Sequence, residues 1–285
     1  MHSSIYMLEK ELIEHKLVTR VPFFILICTV LIFVGLLTNS DLQGNLSYQV
    51  QFGGQSSDML VDFSSNLNLG IASSVWIISV LLSTLYLPKT LRKERQEGSA
   101  MFWRSMPVSH LMTHVVKLGF GLLVIPLICS VLVLNANLLL WLLNIATDNQ
   151  LAVLVSQESI FNVLFNWLSF LARMTLVALA LLPLATMALM TSQLVSSPLL
   201  VMGLAGFAVN FLSVYVLGFY GVSSFFSAIL AMPGMIFTPA PLSGFLNAGV
   251  VHLAIYYILG AVALAASLSL SKTNEVSLRG LFSQR

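Results

Sequence analysis

The chain has 285 residues, of which 58% are hydrophobic and only 8% are charged, and its mean hydropathy is +0.93. Soluble domains carry about 25% charged residues, so this chain has too few to cover a surface that faces water, and its composition is that of a polytopic membrane protein. The formal net charge of +2 is too small to indicate binding to nucleic acid.

The N-terminal segment has apolar side chains at helical spacing, with charged residues between them. This pattern over residues 3–19 is typical of an amphipathic helix. Ahead of a membrane span, such a helix lies flat in the interface, and we assign residues 1–20 to an interfacial helix; a plain charged extension is the alternative. No small-residue cleavage pattern follows the first apolar run, which predicts that this segment is not a cleavable signal.

Six apolar runs predict transmembrane helices, since about 20 helical residues cross the hydrocarbon core. Five of them cover about residues 21–38, 71–87, 118–143, 198–217 and 248–270. Residues 159–197 are too long for one crossing, so the fourth span is predicted to end near Thr191 after an outer amphipathic lead-in that starts at about residue 160. Pro88 is predicted to end the second span, and Ser109 is predicted to cap the helix of the third. Pro126 predicts a kink within that helix. Pro198 is predicted to open the fifth span.

Two segments between the spans differ in composition. Residues 39–69 are polar, with no Lys or Arg, and predict an outer loop. Residues 218–246 carry no charge and are broken by Pro and Gly, which favours a re-entrant helical segment that dips in from outside and returns. A seventh crossing at this position would put the basic C-terminus outside.

The positions of the basic residues predict the orientation. With six spans, every Lys and Arg except Arg173 falls on one side, which the positive-inside rule assigns to the cytoplasm together with both termini. These residues are Lys10, Lys16, Arg20, Lys89, Arg92, Lys93, Arg95, Arg104, Lys117, Lys272, Arg279 and Arg285. The fold class is therefore all-α integral membrane, with residues 1–285 as a single transmembrane domain.

The loop at residues 89–109, KTLRKERQEGSAMFWRSMPVS, is the strongly charged internal segment of the chain. Gly98 breaks its charged first part, Ser99 is a good N-cap for a short second helix, and Pro107 stops that helix. The short helix carries Phe102 and Trp103. Large apolar side chains beside arginines are typical of a protein-binding knob, although aromatic side chains also anchor loops at the lipid interface.

The run ERQEGSAMFWRSMPVSHLM within this loop resembles the cytoplasmic loop of ABC-2 type transporter permeases. An acidic residue and Gly-Ser precede a hydrophobic turn and a Ser-x-Pro-Val-Ser step; the matching residues are Glu97, Gly98, Ser99, Phe102, Ser105, Pro107, Val108 and Ser109. The resemblance extends, more weakly, to the layout of the whole chain. Trp103 and Arg104 stand where the family varies.

The resemblance implies a permease of the bacterial inner membrane, working as an exporter, that pairs with a separate ATPase. The complex would hold two ATPase copies, which bring ATP and Mg, and a second copy of this permease or a homologous one. The loop would be the coupling helix that docks on the ATPase, with these residues at the contact: Glu94, Arg95, Glu97, Gly98, Ser99, Phe102, Trp103, Arg104 and Pro107. The permease itself would not be catalytic and would hold no cofactor.

Arg173 is the one charged residue within a predicted span. A charge there costs at least ~2.5 to 3.5 kcal/mol, so its side chain is expected to face the helix bundle or a wet cavity. It could line a translocation path together with Asn166, Asn210 and His252. It could equally be a structural clamp, or a side chain that reaches the outer headgroups.

The sequence lacks the motifs that would indicate an ATP-binding site, a metalloprotease or a serine hydrolase. The sequence has no G-x-x-x-x-G-K-[ST] run for ATP, no H-E-x-x-H and no G-x-S-x-G. His110 and His114 lack a third metal ligand nearby, and Cys28 and Cys129 lie inside apolar runs as core residues. Two alternatives stay open: a membrane enzyme or scaffold that acts without an ATPase, and a secondary transporter, for which the spans lack Asp and Glu.

Overall fold

The structure, a computed structural model, describes residues 3–38, 57–96, 109–146 and 159–272. These residues are almost entirely helical, and no strand occurs among them. The helices are α1 Ser3–Glu14, α2 Leu17–Thr38, α3 Ser57–Gln96, α4 His110–Gly119, α5 Ile125–Ala146, α6 Ile160–Leu194, α7 Pro198–Phe211, α8 Gly221–Met235 and α9 Ser243–Lys272. π-helical turns, Phe120–Val124 and Leu212–Val216, continue α4 into α5 and extend α7.

Six helical stretches are long and apolar enough to cross a membrane, in agreement with the six predicted spans. They are Leu17–Thr38, Leu67–Leu91, His110–Leu143, Ile160–Leu194, Pro198–Val216 and Ser243–Ser271. Many of their large apolar side chains are exposed, such as Phe161 and Val250. Apolar side chains on the outside of a helix bundle are what a lipid environment requires. The chain is thus a multi-pass membrane protein whose described part is built of helices.

Two predicted helix starts are confirmed by their capping residues. Ser109 is the N-cap of α4, and its hydroxyl accepts a hydrogen bond from the backbone N–H of Met112 at 3.2 Å. Pro198 occupies the first turn of α7, where its missing N–H leaves no intrahelical bond unmade. Both positions follow from local backbone chemistry alone.

The prediction that Pro88 ends the second helix is wrong. Pro88 lies inside α3, which continues to Gln96. A proline within a helix costs about 3 kcal/mol, but Tyr86, Leu87 and Leu91 around it are all buried. Burying a large apolar side chain gains about 1.5–3 kcal/mol, so the packing of this turn outweighs the cost of the proline.

Two other boundaries also differ from the prediction. The predicted helix over residues 3–19 is interrupted, because α1 ends at Glu14 and α2 begins at Leu17. The predicted outer loop at residues 39–69 is too long at its C-terminal end, because α3 already begins at Ser57. Polar side chains in 57–69 concealed this helix start, since the sequence prediction relied on hydrophobicity.

The uncharged segment before the last span contains α8, turns over residues 236–242, and the start of α9. Gly249 has φ 74°, ψ 153°, so α9 is kinked there, and such a positive φ favours glycine. With 15 residues, α8 is about 22 Å long, shorter than the hydrocarbon core of roughly 30 Å. Helix α8 packs along α9, and the two helices together form a helical hairpin.

The packing of the helices divides the chain into two compact units. Unit 1 comprises Met1–His15, Leu81–Val124 and Thr175–Arg285; unit 2 comprises Lys16–Val80 and Ile125–Met174. In unit 1, α1 and α9 both pack against α4. In unit 2, α2 packs along α5. Long α3 and α6 each contribute one part to unit 1 and another to unit 2.

Candidate functional site

A buried ion pair ties the N-terminal helix to the rest of unit 1. Lys117 Nζ, on α4, donates to Glu11 Oε1, on α1, at 2.7 Å. Tyr86 OH, on α3, donates to Glu11 Oε2 at 2.9 Å. The ring of His15 meets Tyr86 edge-on at 4.8 Å, and its Nε2 lies 3.5 Å from Glu11 Oε2. We call Glu11, Lys117, Tyr86 and His15 the Glu11 cluster.

The Glu11 cluster is almost dry. Glu11 is 3% exposed, Lys117 1% and Tyr86 2%. Charges that leave water lose several kcal/mol of hydration each, which is recovered only when geometry and hydrogen bonds are good. Here both carboxylate oxygens have donors at short distance. The cluster therefore holds α1, α3 and α4 in one fixed arrangement.

Helix α3 also contacts the π-helical turn that follows α4, next to the Glu11 cluster. Ser83 Oγ donates to the Gly121 carbonyl at 2.6 Å. A Cβ at Gly121 would lie 2.9 Å from Leu87 Cδ2, so the glycine permits this close approach. The π-helical turn that contains Gly121 precedes Pro126, which has no N–H to donate to that turn. Ser83 supplies a donor there.

A second buried polar cluster joins three helices of unit 1. His114 Nε2 lies 2.9 Å from Ser267 Oγ, and His114 Nδ1 lies 2.8 Å from the His110 carbonyl. Gln193 Nε2 donates to Ser267 Oγ at 2.6 Å and to the Ser267 carbonyl at 3.1 Å. Since a carbonyl only accepts, His114 Nδ1 carries a proton and donates to the His110 carbonyl. We call His114, Ser267 and Gln193 the Ser267 cluster.

The contact of α6 with α9 in unit 1 uses a carbonyl that a proline leaves without its helical donor. Pro183 has no N–H for the Leu179 carbonyl, and Tyr257 OH donates to that carbonyl at 3.0 Å. Thr186 Oγ1 donates to the Gly260 carbonyl at 3.0 Å. A Cβ at Gly260 would lie 2.6 Å from Pro183 Cβ, so the absence of a side chain at Gly260 allows α6 and α9 to pack closely within unit 1.

Unit 2 contains a polar cavity of about 320 Å³ between α3, α5 and α6. Its polar lining consists of one guanidinium, three amides and one hydroxyl: Arg173, Asn68, Asn137, Asn166 and Ser169. The apolar lining consists of Leu69, Ala72, Val133 and Phe170. We call this space the Arg173 cavity. A second cavity of unit 2, of about 590 Å³, has an almost wholly apolar lining in which Thr29 and Ser74 are the polar members.

The structure brings together two of the four residues predicted to line a translocation path. Arg173 and Asn166 both line the Arg173 cavity. Asn210 and His252 belong to unit 1, where His252 Nδ1 bonds the Ala248 carbonyl at 2.8 Å and its ring meets Phe225 at 5.9 Å. The side-chain oxygen of Asn210 is buried with no hydrogen-bond partner in the described part of the chain.

Most residues of the predicted coupling loop lie outside the described residues. These are Glu97, Gly98, Ser99, Phe102, Trp103, Arg104 and Pro107. Glu94 and Arg95 belong to the last turn of α3, and the structure does not describe their side chains. The flanking helices are described: Tyr86 lies roughly three turns before Gln96, and Lys117 lies roughly two turns after Ser109.

Sequence reasoning missed the Glu11 cluster. Glu11 was placed with the charged residues between the apolar positions of α1, whereas its carboxylate is buried. A signal was available, because Glu11 follows Leu8 by three positions and thus lies on the same side of the helix. Lys117, next to the long apolar run of the third span, is the matching cation. Within the described ranges, no three His, Cys, Asp or Glu side chains are grouped to hold a metal ion.

Comparison with known proteins adds no relative: no family model, no curated protein and no solved structure matches this chain.

Proposed function

We propose that this chain is the membrane subunit of an ATP-binding cassette transporter of the ABC-2 permease type. A separate ATPase subunit would dock on the loop at residues 89–109 and drive an exporter with two copies each of permease and ATPase. The proposal places the chain in a bacterial inner membrane with both termini in the cytoplasm. The hairpin of α8 and α9 would be the outer re-entrant segment.

The observation that carries the proposal is the Glu11 cluster at the base of this loop. A docked ATPase must transmit force through a loop into the spans, and this requires that the helices on either side of the loop move together. Tyr86 before the loop and Lys117 after it both bond Glu11, and Ser83 bonds Gly121 beside them. These contacts support a rigid base that would pass a push on the loop to the second and third spans.

The proposal is tested by a photo-crosslinking residue in place of Trp103, in cells that express the full chain. We expect a crosslink to a protein that hydrolyses ATP and that co-purifies in mild detergent at one copy per permease. Crosslinking of Trp103 only to lipid, or labelling of position 103 by a reagent added outside the cell, would contradict the proposal. A chain that remains active in isolation would favour a membrane enzyme, a scaffold or a secondary transporter.

Substitutions in the loop test the assigned contact. Glu97→Ala and Phe102→Ala should reduce the co-purified ATPase and uncouple its ATP hydrolysis from transport, while the free energy of unfolding of the permease stays unchanged. Glu9→Ala is the matched control for the change in charge, because Glu9 is exposed on α1. Equal ATPase recovery and equal coupling in all three variants would argue against this docking site.

A further inference from the structure

The Arg173 cavity combines groups that recognise one kind of ligand. A guanidinium presents five N–H donors in a planar fork, which matches the two oxygens of a carboxylate or phosphate. The amides of Asn68, Asn137 and Asn166 and the hydroxyl of Ser169 add further donors around the same space. The lining is therefore suited to anionic oxygen atoms.

The cavity also has a defined size and rigid walls. At about 320 Å³, it lies at the lower end of the range for ligand pockets, about 300–1,000 Å³. This volume suits a charged headgroup or a small anion better than a whole lipid. Asn137 is only 2% exposed and Phe170 only 1%, so these two walls are fixed by packing within unit 2. A site of this kind is formed before its ligand arrives.

The energetic cost of a charged residue in the bilayer also favours an anionic ligand for this cavity. An arginine in a span is costly, and such residues usually face a wet cavity and mark a functional path. Here the guanidinium lies at a polar cavity, while Leu168 and Phe165 on the same helix are exposed. Asn166 and Ser169 of the same helix line the cavity with Arg173, an arrangement that an anchor to bilayer headgroups would not require.

We propose that the Arg173 cavity binds the anionic oxygen atoms of a phosphate or carboxylate group within the membrane domain, with the Arg173 guanidinium as the main donor. The group could arrive on a phospholipid headgroup or as a water-soluble anion. Binding is a property of the chain itself and holds whether or not an ATPase drives it.

The test uses the purified full chain in two arms. In the first, the protein is reconstituted in phosphatidylcholine with a minor fraction of phosphatidylglycerol, and native mass spectrometry counts the phospholipids that stay bound after delipidation. In the second, the delipidated protein in detergent is titrated with radiolabelled inorganic phosphate. Retained phosphatidylglycerol identifies a lipid source, whereas saturable phosphate binding identifies a soluble one.

Three variants connect binding to the cavity. Arg173→Gln should weaken binding at least about tenfold, because hydrogen bonds to charged groups are worth about 1.5–3 kcal/mol. Arg173→Lys keeps the charge but loses the fork, so a smaller loss of a few fold is expected. Ser169→Leu fills the cavity without any change in charge and should also weaken binding at least about tenfold.

Arg20→Gln is the matched control, since Arg20 is exposed at the start of α2 and its loss changes the charge equally; its binding should equal that of the unaltered chain. The proposal is overturned if neither arm detects binding, or if Arg173→Gln binds as well as Arg20→Gln. It is also overturned if Ser169→Leu binds normally while Arg173→Gln does not, since the guanidinium would then act on headgroups outside the cavity.

Discussion

Unit 1 buries Glu11 and Lys117 in direct contact at 2.7 Å, whereas unit 2 lines an open space of about 320 Å³ with Arg173 and three asparagines. Both arrangements place a charged group beside other polar side chains. The Glu11 cluster leaves no room for a ligand, because Tyr86 donates to the second carboxylate oxygen of Glu11 and Phe120 packs on Tyr86. The Arg173 cavity leaves room for something else to enter.

This difference separates two uses of polar groups in an apolar chain. A buried ion pair adds little stability compared with apolar packing, yet it is strongly destabilising when one partner is removed. The Glu11 cluster therefore specifies how α1, α3 and α4 meet. The polar groups of the Arg173 cavity instead surround an unfilled volume of about 320 Å³, which is the basis for the proposal that they bind a ligand. If the polar clusters of unit 1 are tightly packed and unit 2 has an unfilled cavity, enlarging a side chain should lower the free energy of unfolding more in unit 1 than in unit 2.

The largest effect is expected from Lys117→Met. The change leaves the Glu11 carboxylate buried without its cation, which should lower the free energy of unfolding by about 3–5 kcal/mol. The measurement is SDS titration of the purified protein in mixed micelles. Adding Glu11→Gln to this variant should recover part of the loss, because no buried charge then remains.

Lys10→Met is the matched control for Lys117→Met. Lys10 pairs with Glu14 on the same helix at 3.6 Å, and Glu14 is partly exposed. Exposed pairs are worth about 0.2–1 kcal/mol, so the control should lose no more than that. Equal losses at Lys10 and Lys117 would show that the Glu11 cluster is not buried as described.

An intermediate effect is expected from Gly260→Ala, which adds one methyl group to a closed contact in unit 1. Its Cβ would lie 2.8 Å from Pro183 Cα, in the backbone of α6. Overpacking of this kind costs about 1–3 kcal/mol, again measured as the free energy of unfolding. The same change at Gly203 on α7 meets nothing within 4 Å and should stabilise by about 0.5–1 kcal/mol. A stable Gly260→Ala variant would mean that α6 and α9 pack less closely.

The smallest effect on stability is expected from Ser169→Leu. The larger side chain can enter the Arg173 cavity, so the free energy of unfolding should change by less than about 1 kcal/mol. Ala180→Leu on the same helix is the comparison, because Ala180 is 1% exposed in unit 1 and has no space for three more carbons. If the two variants lose equal stability, the contrast between an open and a closed unit is not valid.

Helix identity could be predicted from the sequence because it depends on local properties. The six apolar runs are long enough to span hydrocarbon by composition alone, and six such helices are observed in the described ranges. Ser109 and Pro198 mark helix starts through their own backbone chemistry. The sequence predicts that Asn166 and Arg173 line one path, and both line one cavity in the structure.

The errors occur where packing outweighs local preference. Pro88 is a helix breaker by itself, yet α3 passes through it because the residues around it are buried. The hydroxyl of Tyr257 reaches the carbonyl that Pro183 leaves without a donor, from a helix far along the chain. No local sequence pattern predicts that Tyr257 is the donor to this carbonyl.

The sequence by itself determined that this chain is helical, apolar and built of six membrane-crossing lengths, because hydrophobicity and helix capping act over a few turns. Only the tertiary structure decided that Glu11 turns inward to Lys117 and Tyr86, and that asparagines from α3, α5 and α6 join Arg173 around one space. Residues separated by up to about a hundred positions must meet for either site to exist, and a one-dimensional pattern carries no record of which helix faces which.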